Sequence, residues 1–233
     1  MKKVSKKIAV YTFAMLLFVV LVVVLYQAFF KVDSLKLAKA NVSEMGNCFF
    51  VDKTNDNAIL KVSSGMRENP YNLNGVHNEM KPFTLLIFQT SLNNITEPSF
   101  TAQIDDTTYQ GVLELNPCDN TYIYDLQTSI NNTSKIDVTI TINEFEFTFQ
   151  PINLNQTWGI NFDEALDLGL KDMKPIIDSL VAKGKFNGEC YAKVISDPSG
   201  VLNMYYYYIG IIDVDGNIYS VVLDTANGEK FSK

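Results

Sequence analysis

Histidine is almost missing from this chain: His77 is the single one among 233 residues. That excludes a histidine-rich metal centre, and a Ser-His-Asp or Cys-His pair would have to use His77 itself. His77 lies in a polar, Asn-rich stretch with Glu79 close by, where a lone imidazole is ordinarily just solvated. Cysteine is nearly as scarce. Cys48, Cys118 and Cys190 stand roughly seventy residues apart, so no C-x-x-C zinc or redox motif exists. One disulfide with a free thiol and three buried thiols are both open. Cys48 and Cys118 fall in the same expected domain and are the pair to test.

Positive charge is also in short supply, with 19 Lys and Arg against 26 Asp and Glu. Four of the bases and none of the acids lie in the first thirty residues, which leaves 15 against 26, a net charge of −11, beyond Phe30. Such a surface repels phosphate backbones and anionic headgroups, so no nucleic acid is expected as a partner. No catalytic or cofactor signature stands out, so neither an enzyme nor a cofactor is expected.

What the chain does have is one long apolar run, IAVYTFAMLLFVVLVVVLYQAFF, over residues 8–30 and without a charge. A helix rising about 1.5 Å per residue over this length crosses a hydrocarbon core of roughly 30 Å with some tilt. A single span must satisfy its backbone hydrogen bonds internally, so it must be helical. Lys2, Lys3, Lys6 and Lys7 flank its start, and the positive-inside bias keeps the N-terminus cytoplasmic and exports residue 31 onward. The alternative is a cleaved leader, with Ala38-Lys39-Ala40 as its small-x-small site.

The exported part is dense in aromatic and β-branched residues. After an expected stalk over residues 31–44, helical through Ser34–Ala40, strand signals recur every eight to twelve residues. IDVTITI, ending at Ile142, and EFEFTFQ, from Glu144 to Gln150, alternate cleanly, and Phe145, Phe147 and Phe149 share one face. Residues 63–81 read as a loop. The pattern predicts an antiparallel, sandwich-like all-β domain over residues 45–150.

Residues 151–160 read as a linker, and the second domain spans 161–233. Asn161 is the expected cap of a helix whose first turn carries Asp163 and Glu164. Leu166, Leu170, Met173, Ile177 and Leu180 or Val181 give one apolar stripe, and Pro175 predicts a kink or two shorter helices. Three strands should follow: Glu189–Ser196, Leu202–Val214 and Asn217–Asp224, with Asp215-Gly216 as the signal of a two-residue hairpin turn. The whole reads as a small α+β domain, a helix packed on an antiparallel sheet.

The stretch YYYYIGIIDVDGNIYSVVLDTANGEK, Tyr205–Lys230, resembles the PepSY family of small peptidase-propeptide-like domains of exported proteins. The closest likeness is a strand holding Tyr219, Val222, Asp224 and Thr225, closed by Asn227-Gly228-Glu229-Lys230. The resemblance covers roughly residues 160–233. It implies a non-enzymatic binding module, of the kind found in membrane-anchored regulators and in propeptides that inhibit or chaperone proteases.

Candidate sites are few. Asp213-Val-Asp215-Gly-Asn217 looks like a calcium loop, but Gly216 is fourth where the sixth position needs glycine, and a hairpin accounts for all five residues. The pairs Asp105/Asp106 and Asp163/Glu164 are explained by a turn and a helix start. Tyr205, Tyr206, Tyr207 and Tyr208 are the candidate partner-binding residues. Alternation puts Tyr205 and Tyr207 on one face and Tyr206 and Tyr208 on the other, so one pair should pack on the helix stripe and the other lie partly exposed. The expected protein is a single-pass cell-membrane protein with its bulk extracytoplasmic. Its expected partners are the bilayer, through residues 8–30, and an envelope protein on which it acts as a binding or regulatory module. The alternative is a structural protein that binds cell-wall or surface glycan.

Overall fold

A short helix, α1 (Ser34–Ala40), opens the folded body and leads directly into a long strand, β1 (Val42–Asn55). The computed structural model describes residues 11–13, 15–22, 33–55, 57–70, 78–92, 95–197 and 204–231. The backbone of α1 is launched by Asp33, whose side chain accepts the N–H groups of Leu35 and Lys36. The helix does not stand off as a stalk. Ala38 is fully buried, Ser34 donates to Asp178, and Lys39 pairs with Asp167 at 2.7 Å. The segment expected to be a spacer is built into the body because its small residues fit closely against later helices.

The chain continues through β2 (Ala58–Glu68), β3 (Met80–Thr90), β4 (Ser99–Ile104), β5 (Thr107–Val112), β6 (Glu114–Asn116) and β7 (Thr121–Asp125). β8 (Ile136–Ile142), β9 (Phe145–Phe149) and the two-residue β10 (Ile152–Asn153) follow. Two helices come next, α2 (Phe162–Asp172) and α3 (Lys174–Leu180). They give way to the small ribbon β11 (Val181–Ala182) and β12 (Lys185–Phe186), and then to β13 (Gly188–Ser196), β14 (Tyr205–Asp213) and β15 (Ile218–Asp224). The fold is mostly β with few helices.

One large mixed sheet runs β15-β14-β13-β1-β2-β3-β7-β6, with β10 added on β1. Its only parallel pairing among the described strands joins β1 to β13, Val42 opposite Cys190 and Met45 opposite Ala192. The sheet therefore passes without a break from the N-terminal to the C-terminal half of the chain, across the boundary expected at 151–160. A second, four-stranded sheet runs β5-β4-β8-β9.

Side-chain alternation along β1 serves two cores at once. Phe49 and Val51 point to a cluster with the stripe Leu166, Leu170, Met173 and Ile177 of the helices. Cys48 and Phe50 point to a cluster with Leu86, Phe88, Ile140 and Phe149. Each fully buried Phe or Leu contributes about 1.5–3 kcal/mol relative to an exposed one. In the row on β9, Phe147 and Phe149 are core while Phe145 remains 56 % exposed.

Several local expectations have counterparts in the backbone. Asn161 and Glu164 form a reciprocal capping box on α2. The apolar stripe is carried by two helices that meet at Met173, with Pro175 in the first turn of α3. The loop expected at 63–81 is in part strand, since β2 extends to Glu68 and pairs with Met80 on β3. Polar Ser63 and Ser64 and the glycine at 65 hide the strand signal. Glycine is required there because a Cβ would lie 1.7 Å from the Met45 carbonyl oxygen. The turn between β14 and β15 holds four residues instead of two, closed by Asp213 N–H to Asn217 O at 3.0 Å.

Residues 11–13 and 15–22 are helical, while much of the apolar run at 8–30 lies outside the described residues. Among the described residues no helix is long and apolar enough to cross a membrane.

Candidate functional site

The stretch expected to be a linker, 151–160, is stitched onto the sheet, and it builds the site. β13 pairs with β1 only as far as Met45, so the next part of that edge needs another partner. β10 supplies it, pairing Val51 with Ile152 and Phe50 with Asn153. Leu154 N–H donates to Phe49 O at 3.0 Å, and Asn155 Oδ1 accepts Phe49 N–H at 2.6 Å. Asp52 holds the entry, accepting the N–H of Gln150 at 2.6 Å. A single turn of 3₁₀ helix, Asn155–Thr157, then delivers Trp158.

Trp158 is the chain's single tryptophan. Its ring stacks on Phe49 at 6.4 Å and meets Tyr207 edge-on at 5.2 Å. Phe49 also backs Tyr205 at 5.1 Å. Offset and edge-on ring pairs of this kind each add about 0.5–1.5 kcal/mol beyond burial, so the wall is stiff. In front of it opens a cavity of about 390 Å³ bounded by Val51, Lys53, Ile152, Leu154, Trp158 and Tyr205, with Thr157 at its rim.

Lys53 supplies the charge. Its Nζ lies 4.9 Å from the centre of the Tyr205 ring, a cation–π contact. Lys61 on β2 stands opposite Val51 and so shares the face that carries Lys53. Its Nζ donates to Ser196 Oγ at 2.8 Å. Burial lowers the Lys61 pKa, the like charge of Lys53 lowers it further, and Asp119 works in the opposite sense.

Beside Tyr207 lies a second cavity of about 270 Å³. Five carboxamides border it, Asn47, Asn132, Asn155, Gln156 and Asn161, together with Asp163 and the Tyr207 hydroxyl. Several of these amides are engaged locally: Asn161 caps α2, and the Asn132 carbonyl accepts from Gln156 Nε2 at 3.0 Å.

The four tyrosines divide as strand alternation requires. Tyr205 and Tyr207 face the helix stripe, and Tyr205 alone walls the first cavity. Tyr207 is fully buried, its hydroxyl donating to Ile160 O at 3.1 Å, and burial raises its pKa to about 12. The other pair is less open than expected. Tyr206 is buried against Phe231 at 5.1 Å, and Tyr208 is half-buried on Tyr191 at 5.8 Å. Tyr191 covers this face because Gly210 leaves room for its ring, with the nearest ring atom 2.4 Å from where a Cβ would stand.

The Cys48–Cys118 disulfide is not formed, and all three thiols are free. Cys48 points from β1 into a core, whereas Cys118 is exposed on the turn between β6 and β7. The acidic candidates are structural: Asp213 accepts the N–H groups of Asp215 and Asn217 at 2.9 and 2.8 Å. His77 lies outside the described residues. Among the described residues no three His, Cys, Asp or Glu side chains converge on a metal position. Sequence reasoning missed Lys53 and Trp158; the one available signal was a lone tryptophan in an apparent linker.

Set against known protein families, curated proteins and solved structures, the chain matches none.

Proposed function

We propose that this chain is a membrane-tethered, extracytoplasmic, non-enzymatic binding module that acts on an envelope protein through the cavity of Trp158, Tyr205 and Lys53. The observation that carries the reading is the cavity itself, a stiff aromatic wall facing a lysine. Recognition sites commonly combine mostly apolar walls with a few placed polar groups. Trp and Tyr give contact area at little entropic cost.

The apolar run at 8–30 and its four flanking lysines support the tether and its orientation. Only Lys31 and Val32 separate that run from the cap of α1 at Asp33. Three peptide steps span at most about 11 Å, so the body would be held against the membrane face. That raises the local concentration of a partner in the same membrane and suits weak binding. The helices α2 and α3 followed by antiparallel β13, β14 and β15 support the PepSY-like reading of the C-terminal third, and the two sheets with a shared core support a sandwich-like first part.

The carboxamide-rich second cavity favours the alternative, a glycan ligand. Photocrosslinking in cells separates the two. Ile152, 64 % exposed at the rim, is replaced by p-benzoylphenylalanine, with Leu115 on distant β6, 51 % exposed, as control. The proposal expects a membrane-retained chain and a discrete protein adduct from position 152 alone. An adduct with cell-wall glycan would favour the alternative. Equal adducts from both positions, or a chain released from membranes by alkaline wash, would sink the proposal.

A further inference from the structure

We infer that the turn between β14 and β15 dips Val214 and Ile218 into the interface of the membrane that holds the tether, so that the body stands on this end with the Trp158 cavity lifted away from the lipid. This rests on the proposal that residues 8–30 anchor the chain, and it names the surface that the body turns toward the bilayer.

Register places the turn. β1 and β13 run parallel and start together, Val42 opposite Cys190. β14 finishes beside the start of β13, with Asp213 opposite Gly188. The chain enters at the same end. Ser34, next to the cap of α1, donates to Asp178 in the last turn of α3. The Leu180 carbonyl that closes α3 accepts the Asn187 N–H at 3.0 Å, just ahead of β13. Neighbouring strands lie about 4.8 Å apart, so β14 and β15 stand about 10 and 14 Å to the side of β1. The apolar run stops three peptide steps before Asp33, a reach of at most about 11 Å. A body held so closely meets the lipid with this end.

The turn protrudes there. Val214 is 51 % exposed and Ile218 62 %, and a Cβ on Gly216 between them would meet no atom within 4 Å. Asp213 closes the loop by accepting the N–H groups of Asp215 and Asn217, so neither aliphatic side chain is needed to hold it. Single exposed apolar residues are ordinary on a protein surface. Two on one protruding turn at the anchored end are within reach of hydrocarbon. Asp215 and Asn217 are exposed on the same turn and limit insertion to the headgroup level. The ribbon of β11 and β12, which leads into β13, adds exposed Lys183 and Lys185. Among the described residues neither lysine is in an ion pair. Lysine stems lie along apolar surface while their amines stay in the headgroup zone. Asp33 and Asp178 are occupied at this end, the first capping α1 and the second paired with Lys174 at 2.7 Å. An acidic body is repelled by anionic headgroups as a whole, so its foothold needs apolar side chains with lysines beside them.

Standing on this end has a use. Tyr205 begins the strand that Asp213 finishes, and eight steps of about 3.3 Å put it about 26 Å away. The aromatic cavity is thus raised clear of the headgroups, at the height of proteins that project from the same membrane. Two aliphatic side chains hold lipid weakly by themselves, but the tether makes the contact intramolecular and weak contact suffices.

Fluorescent depth probes on the full chain in phosphatidylcholine vesicles test this. In a Cys118→Ser background, Val214→Cys and Ile218→Cys are each labelled with a nitrobenzoxadiazole dye, and Leu115→Cys serves as control. Cys48 and Cys190 are buried and stay unlabelled. β3 starts at the anchored end, since Glu44 and Lys81 both pair with Arg67, and Leu115 lies at its far end through Tyr122 and Phe88. Lipids carrying a spin label just below the headgroup should quench both turn probes, whose emission should shift to the blue, and should leave the probe at 115 bright and unshifted. Ile218→Asp should remove most of the quenching at 214 without moving the melting temperature. Equal quenching at all three positions, or undiminished quenching at 214 in Ile218→Asp, overturns the inference. If alkaline wash leaves that chain on the vesicles, the tether stands and only the footing falls; a chain that alkali removes takes both down.

Discussion

Asp52 and Gln150 are joined by a 2.6 Å hydrogen bond from the Gln150 N–H to a carboxylate buried on β1. The bond fixes the point at which the chain leaves the four-stranded sheet and turns to build the aromatic wall. Burial pushes the Asp52 pKa up, but the Thr54 backbone and hydroxyl and the Gln150 backbone outweigh it, and the pKa ends below the ordinary 3.8. A depressed pKa means that the stabilisation is fully present above the unfolded value and is lost as pH falls through the folded one. Asp52→Asn should therefore cost about 1.5–3 kcal/mol at pH 7. The difference from the native chain should shrink as pH drops below about 3.8. Urea midpoints at neutral and acid pH check this; a constant difference would contradict it.

Thiol labelling should separate the three cysteines. Cys118 is exposed, whereas burial pushes Cys48 up to about 11, and burial with the nearby Glu189 pushes Cys190 up to about 12. Thiolate is the reactive form. A maleimide at pH 7 should modify one thiol in the native chain and three after denaturation, read by intact mass. Two fast-reacting thiols in the native chain would disprove the burial of one of the pair.

Asn161→Ala removes one half of the capping box of α2. The expected cost is about 0.5–2 kcal/mol. Because Asn161 borders the carboxamide cavity and not the aromatic one, the Trp158 emission should be unchanged. Thermal melting and the emission spectrum together test both halves.

Tyr207→Phe and Tyr207→Ala should behave very differently. The first loses the hydroxyl's bond to Ile160 O, about 0.5–1.5 kcal/mol. The second empties a fully buried ring site beneath Trp158, about 3–5 kcal/mol. Loss of binding in Tyr207→Ala would therefore reflect loss of fold, which a shift of Trp158 emission toward that of the denatured chain would reveal.

The parts of the fold legible in the sequence are those written in neighbouring residues. Asn161 with Glu164 announces a helix start, Pro175 a helix break, and Asp215-Gly216 a turn, because each acts through local backbone geometry. β2 beyond Val62 was hidden because Gly65 is dictated by the Met45 carbonyl, a non-local neighbour. The site was hidden for the same reason. Lys53, Trp158 and Tyr205 belong to separate elements, and only the pairing of β10 on an edge that β13 leaves vacant brings them together.

The parallel pairing of β1 with β13 has a consequence for when the molecule can form. Ser43 on β1 donates to Glu189 on β13 across 146 residues of chain. Closing so large a loop must precede the reward of the central contacts, and such topologies fold slowly. β1 is also the strand that both cores share, and the helix side cannot be completed while β13 is still missing, because Cys190, Ala192 and Val194 belong to it. A ribosome or a translocation channel would thus release nearly the whole polypeptide before its first strand finds its last neighbour. During that interval the apolar edge of β1 is the part of the chain most in need of a chaperone.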